Sequence, residues 1–341
     1  MKLSRFIRST EGVAGTITAL FLAVAVGAMS LAIDLGHIFL VKCELQRAAD
    51  AGALSGAIGL LAIPPGATGP VPITPDCSRS LAVCQRIVAA NTADGGSLTL
   101  PSPDVLFGTW DMATKTFQAI GCSNPNLVTA VKVITRKDRI ANNPVPLSFS
   151  RILGGMADKE ITAEAVGLTG YVGTAPPGAG TFPLAVDVNK VPPNNTPFRI
   201  HLNPNPDDDG CWHSFNIPNT NASDLRKFID GTLATPQVSV GDQINVQNGV
   251  DDSVVQDIAR QLATRTAQGQ TYDVLVPIIP VGTHSTSAEV LGFATLEITE
   301  VVAQGGDNYI EGHIIPNYVA PGMVPGGPNY GTWAGSPKMV L

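Results

Sequence analysis

The sequence predicts an α+β protein: an N-terminal transmembrane helix with a helical extension, then two β-rich extracytoplasmic domains. Three observations predict it. Residues 13–33 run for 21 residues without a charge, and at 1.5 Å per residue such a helix reaches about 30 Å, the thickness of a hydrocarbon core. Residues 45–61 are rich in alanine, the best helix former. Beyond them the chain carries most of its 35 Gly and 27 Pro, with many Thr, Asn and Val, a composition that favours short strands and turns over long helices. Charged residues make up only 14% of the chain, against roughly 25% in an ordinary soluble domain.

The anchor comes first. Lys2, Arg5 and Arg8 precede the apolar run, and Asp34 closes it. A basic flank on the N-terminal side places Met1 in the cytoplasm and the body across the membrane. The alternative, a cleaved secretory signal, fits less well. The run exceeds the 7–15 residues of a signal core, helical character continues through residues 34–41, and the small-residue stretch Ala51-Gly52-Ala53 lies far downstream. Within the extension, Ala53, Ala57 and Leu61 recur every four residues and share one face. That face either docks on the protein's own body or receives a partner helix. Pro64-Pro65-Gly66 ends the segment.

The outer elements follow in order. A helix over 81–93 is capped by Asp76 or a following Ser. Residues 104–110, 116–120, 128–135 and 160–169 alternate as strands, and 147–153 reads as a short helix. Together, 65–170 form a first α+β domain. Residues 171–181, with Gly173, Pro176, Pro177, Gly178 and Gly180, read as a Gly/Pro linker. The second domain, 182–341, carries strands over 198–202, 243–246, 272–281, 290–302 and 309–315, and one helix over 253–267. Residues 319–341, dense in Gly and Pro, predict an extended coil lying on the surface.

The residues that open the chain also carry a family resemblance. Glu11-Gly12-Val13-Ala14 leads into the span, Ala32-Ile33-Asp34-Leu35-Gly36-His37 leaves it, and Leu45-Gln46-Arg47-Ala48-Ala49-Asp50-Ala51-Gly52-Ala53-Leu54-Ser55-Gly56-Ala57 follows. This segment, within residues 1–62, resembles the N-terminal module of the Flp pilus-assembly TadE/TadG-like proteins of the bacterial tight-adherence system. The resemblance implies a non-enzymatic, single-pass component of a bacterial pilus-assembly or secretion system in the inner membrane, with its bulk in the periplasm. Its partners would be other pilus-assembly or envelope proteins, with self-association through the N-terminal helix as a further option. Two departures stand out. Type IV prepilins place Glu five residues after the processed Gly, and here Gly12 is followed at that distance by Ile17. Some TadG-like members carry a metal-binding domain whose site begins Asp-x-Ser-x-Ser. Asp76-Cys77-Ser78-Arg79-Ser80 fits that string, but the preceding prolines at 70, 72 and 75 argue against the buried strand it needs.

The remaining candidates are cysteines, acids and histidines. Cys77, Cys84, Cys122 and Cys211 would lie in an oxidising compartment where disulfides persist, and four cysteines allow three pairings. Cys43 on the anchor helix is either a small apolar residue or a cross-link between copies. Asn205, Asp207 and Asp209, followed by Gly210, reproduce the first half of a calcium loop. Loop position twelve is Asn216 instead of Glu, so an acidic solvated turn is the simpler account. His201 and His213 flank that turn, which frames an alternative function: a membrane-tethered envelope hydrolase with a metal site near residues 201–213. His284-Ser285 supplies triad residue types with no telling spacing. No zinc-protease His pair, nucleophile elbow, phosphate loop or dinucleotide fingerprint is present, and no cofactor is implied. The net charge of −7, with no basic block past the N-terminus, leaves no electrostatic footprint for nucleic acid.

Overall fold

The computed structural model describes residues 10–63, 66, 71–152, 154–191, 196–204, 207–217, 221–247, 249–282, 286–304 and 308–340. One long helix, α1 (Thr10–Leu61), opens it. Its 52 residues reach roughly 78 Å, so the predicted span and the predicted extension are one uninterrupted rod. A β-rich region with further helices follows. The chain divides into two compact units. The first comprises residues 1–52, 84–105 and 133–165, and the second comprises 53–83, 106–132 and 166–341.

In the first unit α1 is held by polar contacts spaced along its length. The Asp34 carboxylate accepts from the Phe149 and Ser150 amides, at 3.4 and 2.6 Å. These open the short helix α3 (Ser148–Ile152), whose free N-terminal N–H groups need such an acceptor. Nε2 of His37 lies 2.9 Å from Asp94 Oδ1, whose other oxygen is 3.3 Å from Lys137 Nζ. Glu44 accepts from the Asp94 amide at 2.8 Å, and the Lys42 ammonium donates to the Thr162 carbonyl. Arg136 forms ion pairs with Asp104 and Asp138.

Helix α2 (Cys77–Ala89) begins four residues earlier than the sequence predicts. The reason is local. Asp76 Oδ1 accepts from the Ser78 amide at 2.8 Å and the Arg79 amide at 3.2 Å, which fixes the helix start at Cys77. Further on, Thr92–Ala93 turns into a hairpin with Gly96–Ser97 instead of extending the helix.

The core of the second unit is built on an eight-stranded sheet. Its order is Phe198–His201, Tyr309–Ile315, Gly292–Val302, Asp273–Ile279, Leu184–Asp187, Gly210–His213, Gln243–Gln247 and Ser287–Glu289. Neighbours run antiparallel except Leu184–Asp187 beside Asp273–Ile279, which is parallel. Helices α4 (Ala222–Ile229) and α5 (Asp252–Ala267) bury Leu225, Phe228, Val254, Val255 and Ile258 in the same core. The sequence reading lacks α4 and the central strands Leu184–Asp187 and Gly210–His213. Each is short, and both strands are buried along their whole length, so neither shows the alternation that marks a half-exposed strand.

Elsewhere in the second unit, Lys338–Met339 pairs with Gly167 and Leu168, and residues 108–111 pair with Thr116–Ala119. The C-terminal stretch is therefore no surface coil. Tyr318–Ala320 pairs with Val71–Pro72 and, in parallel, with Thr332–Ala334. Trp333 is 1% exposed, its ring 4.6 Å from that of Tyr171. Residues 171–181, read as a linker, include the strand Val172–Ala175, which pairs with Val238–Ser239 and Val324–Pro325. Glycine is needed here for close approach: a Cβ on Gly327 would collide with the Val172 carbonyl oxygen. Composition alone does not separate a flexible glycine from a packed one.

Candidate functional site

The helix α1 changes character along its length. From Val13 to Leu40 its large apolar side chains are exposed, Phe21 at 72% and Phe39 at 70%, a surface that water does not tolerate at this size. From Val41 onward Leu45, Ala48, Ala49, Ala53, Ala57, Leu60 and Leu61 are buried. The segment Val13–Leu61 has a mean hydropathy of 2.2 in its most apolar window, which is only 6% buried. It is long and apolar enough to cross a membrane.

The alanine-rich face is already occupied by this chain. The Gly56 carbonyl accepts from Ser80 Oγ at 2.7 Å, and Arg79 donates to the carbonyls of Gly59 (2.7 Å) and Leu60 (3.2 Å). A Cβ on Gly59 would lie 3.2 Å from the Val83 side chain and 3.3 Å from the Ser80 Cα, so α2 packs directly on the α1 backbone. Ala53, Ala57 and Leu61 thus serve the protein's own fold, the first of the two readings the sequence left open for that face.

A cysteine bridge ties down the end of this packing. Cys77 and Cys122 are joined, with Cα atoms 6.4 Å apart, in a cluster with Leu60, Val128 and Phe107. Cys84 is buried and lies 3.4 Å from the Gly52 carbonyl. The buried Cys211 thiol is pushed up to about 12 by burial and the nearby Asp187 charge, which leaves it unreactive. Asp76, in the Asp-x-Ser-x-Ser string, acts as the helix cap. Its carboxyl is held below the usual range, first by the Ser78 hydroxyl and then by the Arg79 amide.

Of the two histidines that flank the acidic turn, His201 meets it and His213 turns into the core. Asn205 lies outside the described residues. Asp209 pairs with Lys190 at 3.0 Å, and His201 Nδ1 lies 2.6 Å from Asp208 Oδ1. His213 is fully buried, its Nε2 facing the Phe182 carbonyl at 3.0 Å and its Nδ1 accepting from the Phe215 amide at 3.1 Å. Both ring nitrogens of His213 face backbone groups, which leaves His201 as the histidine of the pair that lies at the acidic turn. Among the described residues no three His, Cys, Asp or Glu side chains are placed to hold a metal ion. His284 and Ser285 lie outside the described residues.

The second unit also holds a cavity of about 270 Å³ with Phe182, Phe228, Leu275 and Met323 among its walls and Arg265, Tyr272 and Asp273 on its polar side. The Arg265 guanidinium sits 4.7 Å from the Tyr272 ring centroid, a cation–π contact. Burial pushes the Asp273 carboxyl up, and its Oδ1 has no hydrogen-bond partner among the described residues. Sequence reasoning missed this cavity, because its lining comes from five separated chain segments.

An unbroken helix with a lipid-compatible first half and an internally packed second half matches a known module. Residues 12–59 match the family model Tad, described as Putative Flp pilus-assembly TadE/G-like. No curated protein and no solved structure matches the chain. The Tad segment covers the whole lipid-compatible stretch and most of the packed extension, so its residues serve both the membrane and the fold. Together, the Tad segment and the apolar helix make this a membrane-anchored protein involved in a pilus system.

Proposed function

We propose that this protein is a non-catalytic inner-membrane subunit of a bacterial Flp/Tad-type pilus-assembly or secretion apparatus, acting through protein–protein contacts. Its N-terminus lies in the cytoplasm and its bulk in the periplasm. One observation carries the reading: the Tad match at residues 12–59 falls on a helix whose first half is apolar and exposed and whose second half is rooted in the protein's own core. The apolar part and the packed part belong to one helix, because no break interrupts α1 between Thr10 and Leu61. The Lys2, Arg5 and Arg8 flank supports the orientation, and the Cys77–Cys122 bridge suits an oxidising compartment.

Affinity purification of the tagged full-length chain from crosslinked cells tests the assembly role. Pilus-machinery proteins should co-purify, and protease added to spheroplasts should digest the body while sparing the N-terminal tag. A chain that captures none of them, or whose body is protected in spheroplasts, would overturn the reading.

A further inference from the structure

We propose that residues 148–152 and 154–156 form a foot that rests in the lipid headgroup layer beside the emerging helix. The inference rests on the membrane-anchored reading of α1 and adds a second point of membrane contact.

The argument begins with depth. The exposed apolar part of α1 covers residues 13–40. Those 28 residues reach about 42 Å, more than the ~30 Å hydrocarbon core and equal to a bilayer with both headgroup layers. Asp34 lies inside this stretch, six residues or about 9 Å before its end. Leu31, Ile33, Leu35, Phe39 and Leu40 are exposed around it, yet Asp34 itself is 4% exposed and Ser30 is also buried. The Asp34 carboxylate is bonded to the Phe149 and Ser150 amides. One side of the helix at headgroup depth is therefore covered by residues 148–150, while its other sides face lipid. A segment bonded to residue 34 cannot stand clear of the membrane surface that Phe39 and Leu40 still touch.

The foot has the chemistry that this depth demands. Backbone groups near lipid must be satisfied internally. The Asp34 carboxylate takes the amides that open α3, and the Gly154 and Gly155 amides return to the carbonyls of Arg151 (3.2 Å) and Ser150 (2.8 Å). Met156 is 62% exposed, and Ile140 is exposed beside Arg139, which is paired with Asp158 and Glu160, the residues just after Met156. Arg151 and Lys159 are exposed as well. Large apolar side chains next to basic ones suit the headgroup boundary, where the stem sits in acyl chain and the charge meets phosphate. Continuity with the span selects lipid as the occupant.

The test uses the full chain reconstituted into phosphatidylcholine/phosphatidylglycerol vesicles. A Met156→Cys substitution on a Cys43→Ser background carries an environment-sensitive nitrobenzoxadiazole label. Cys84 and Cys211 are buried and stay unlabelled. We expect a blue-shifted emission, strong quenching by lipids with a shallow nitroxide, and iodide quenching several-fold weaker than for the same label on the unfolded chain. A label quenched by iodide but not by nitroxide lipids would overturn the foot while leaving the anchor intact. A label shielded from both would mean a protein covers the site, and would also overturn it. Release of the protein by alkaline carbonate would overturn the anchor and the foot together. Met156→Asp gives an independent readout: vesicle retention should persist, while protease cutting within 148–157 rises several-fold. Unchanged cutting counts against the proposal.

Discussion

His213 shows how a single buried side chain sets a pH response. Burial pulls its imidazole down to about 4, so the folded state holds it neutral while the unfolded chain titrates near 6.5. Between those values the unfolded state binds the extra proton, and stability rises with pH. The contribution is complete above about pH 6.5 and is lost progressively toward pH 4, on the order of 3 kcal/mol. Thermal melts across that range should show the drop. His213→Gln should flatten the slope while lowering stability throughout, since it disturbs a buried pair of backbone contacts. Asp34 acts at the same scale. Asp34→Ala strips the acceptor from two amides and should cost about 2 kcal/mol, a charge-assisted hydrogen bond's worth, read as faster protease cutting at residues 148–157. Neither role was legible in the sequence. Asp34 reads there only as the end of an apolar run, and His213 only as a neighbour of an acidic turn, because burial is a property of the surroundings.

At the scale of elements, the α1–α2 contact depends on glycine and on one disulfide. Gly59→Val would force α2 off the helix backbone and should cost about 1–3 kcal/mol, as overpacking does. Chemical denaturation of the detergent-solubilised protein measures it. Reducing the Cys77–Cys122 bridge, which spans a sequence separation of 45, should cost up to about 4 kcal/mol by the loop-entropy rule. A transition midpoint indifferent to reductant would contradict this. Most elements were readable: the anchor and its extension, α5, and the strands over 105–111, 130–137, 161–168, 273–279, 292–302 and 309–315 agree with their patterns to within a few residues. The short, fully buried elements were not, since they lack a polar face to reveal their period.

For the molecule as a whole, the C-terminal residues are structural. Tyr318–Ala320, Thr332–Ala334 and Lys338–Met339 each complete a sheet, and Trp333 fills a cluster with Leu61 and Val319. Deleting residues 318–341 should therefore abolish cooperative unfolding, and Trp333→Ala should cost about 3–5 kcal/mol. Calorimetry on the full chain and the truncation distinguishes this from a dispensable tail, which would leave the transition unchanged. The sequence by itself determined the anchor, the helical continuation and the Tad resemblance, because hydrophobic run length and helix propensity act along consecutive residues. Only the tertiary structure decided which glycines are packed, which cysteines join, and which face of the extension is covered. Those outcomes depend on chain segments that meet from 24 to more than a hundred positions apart, and no local pattern records such a meeting.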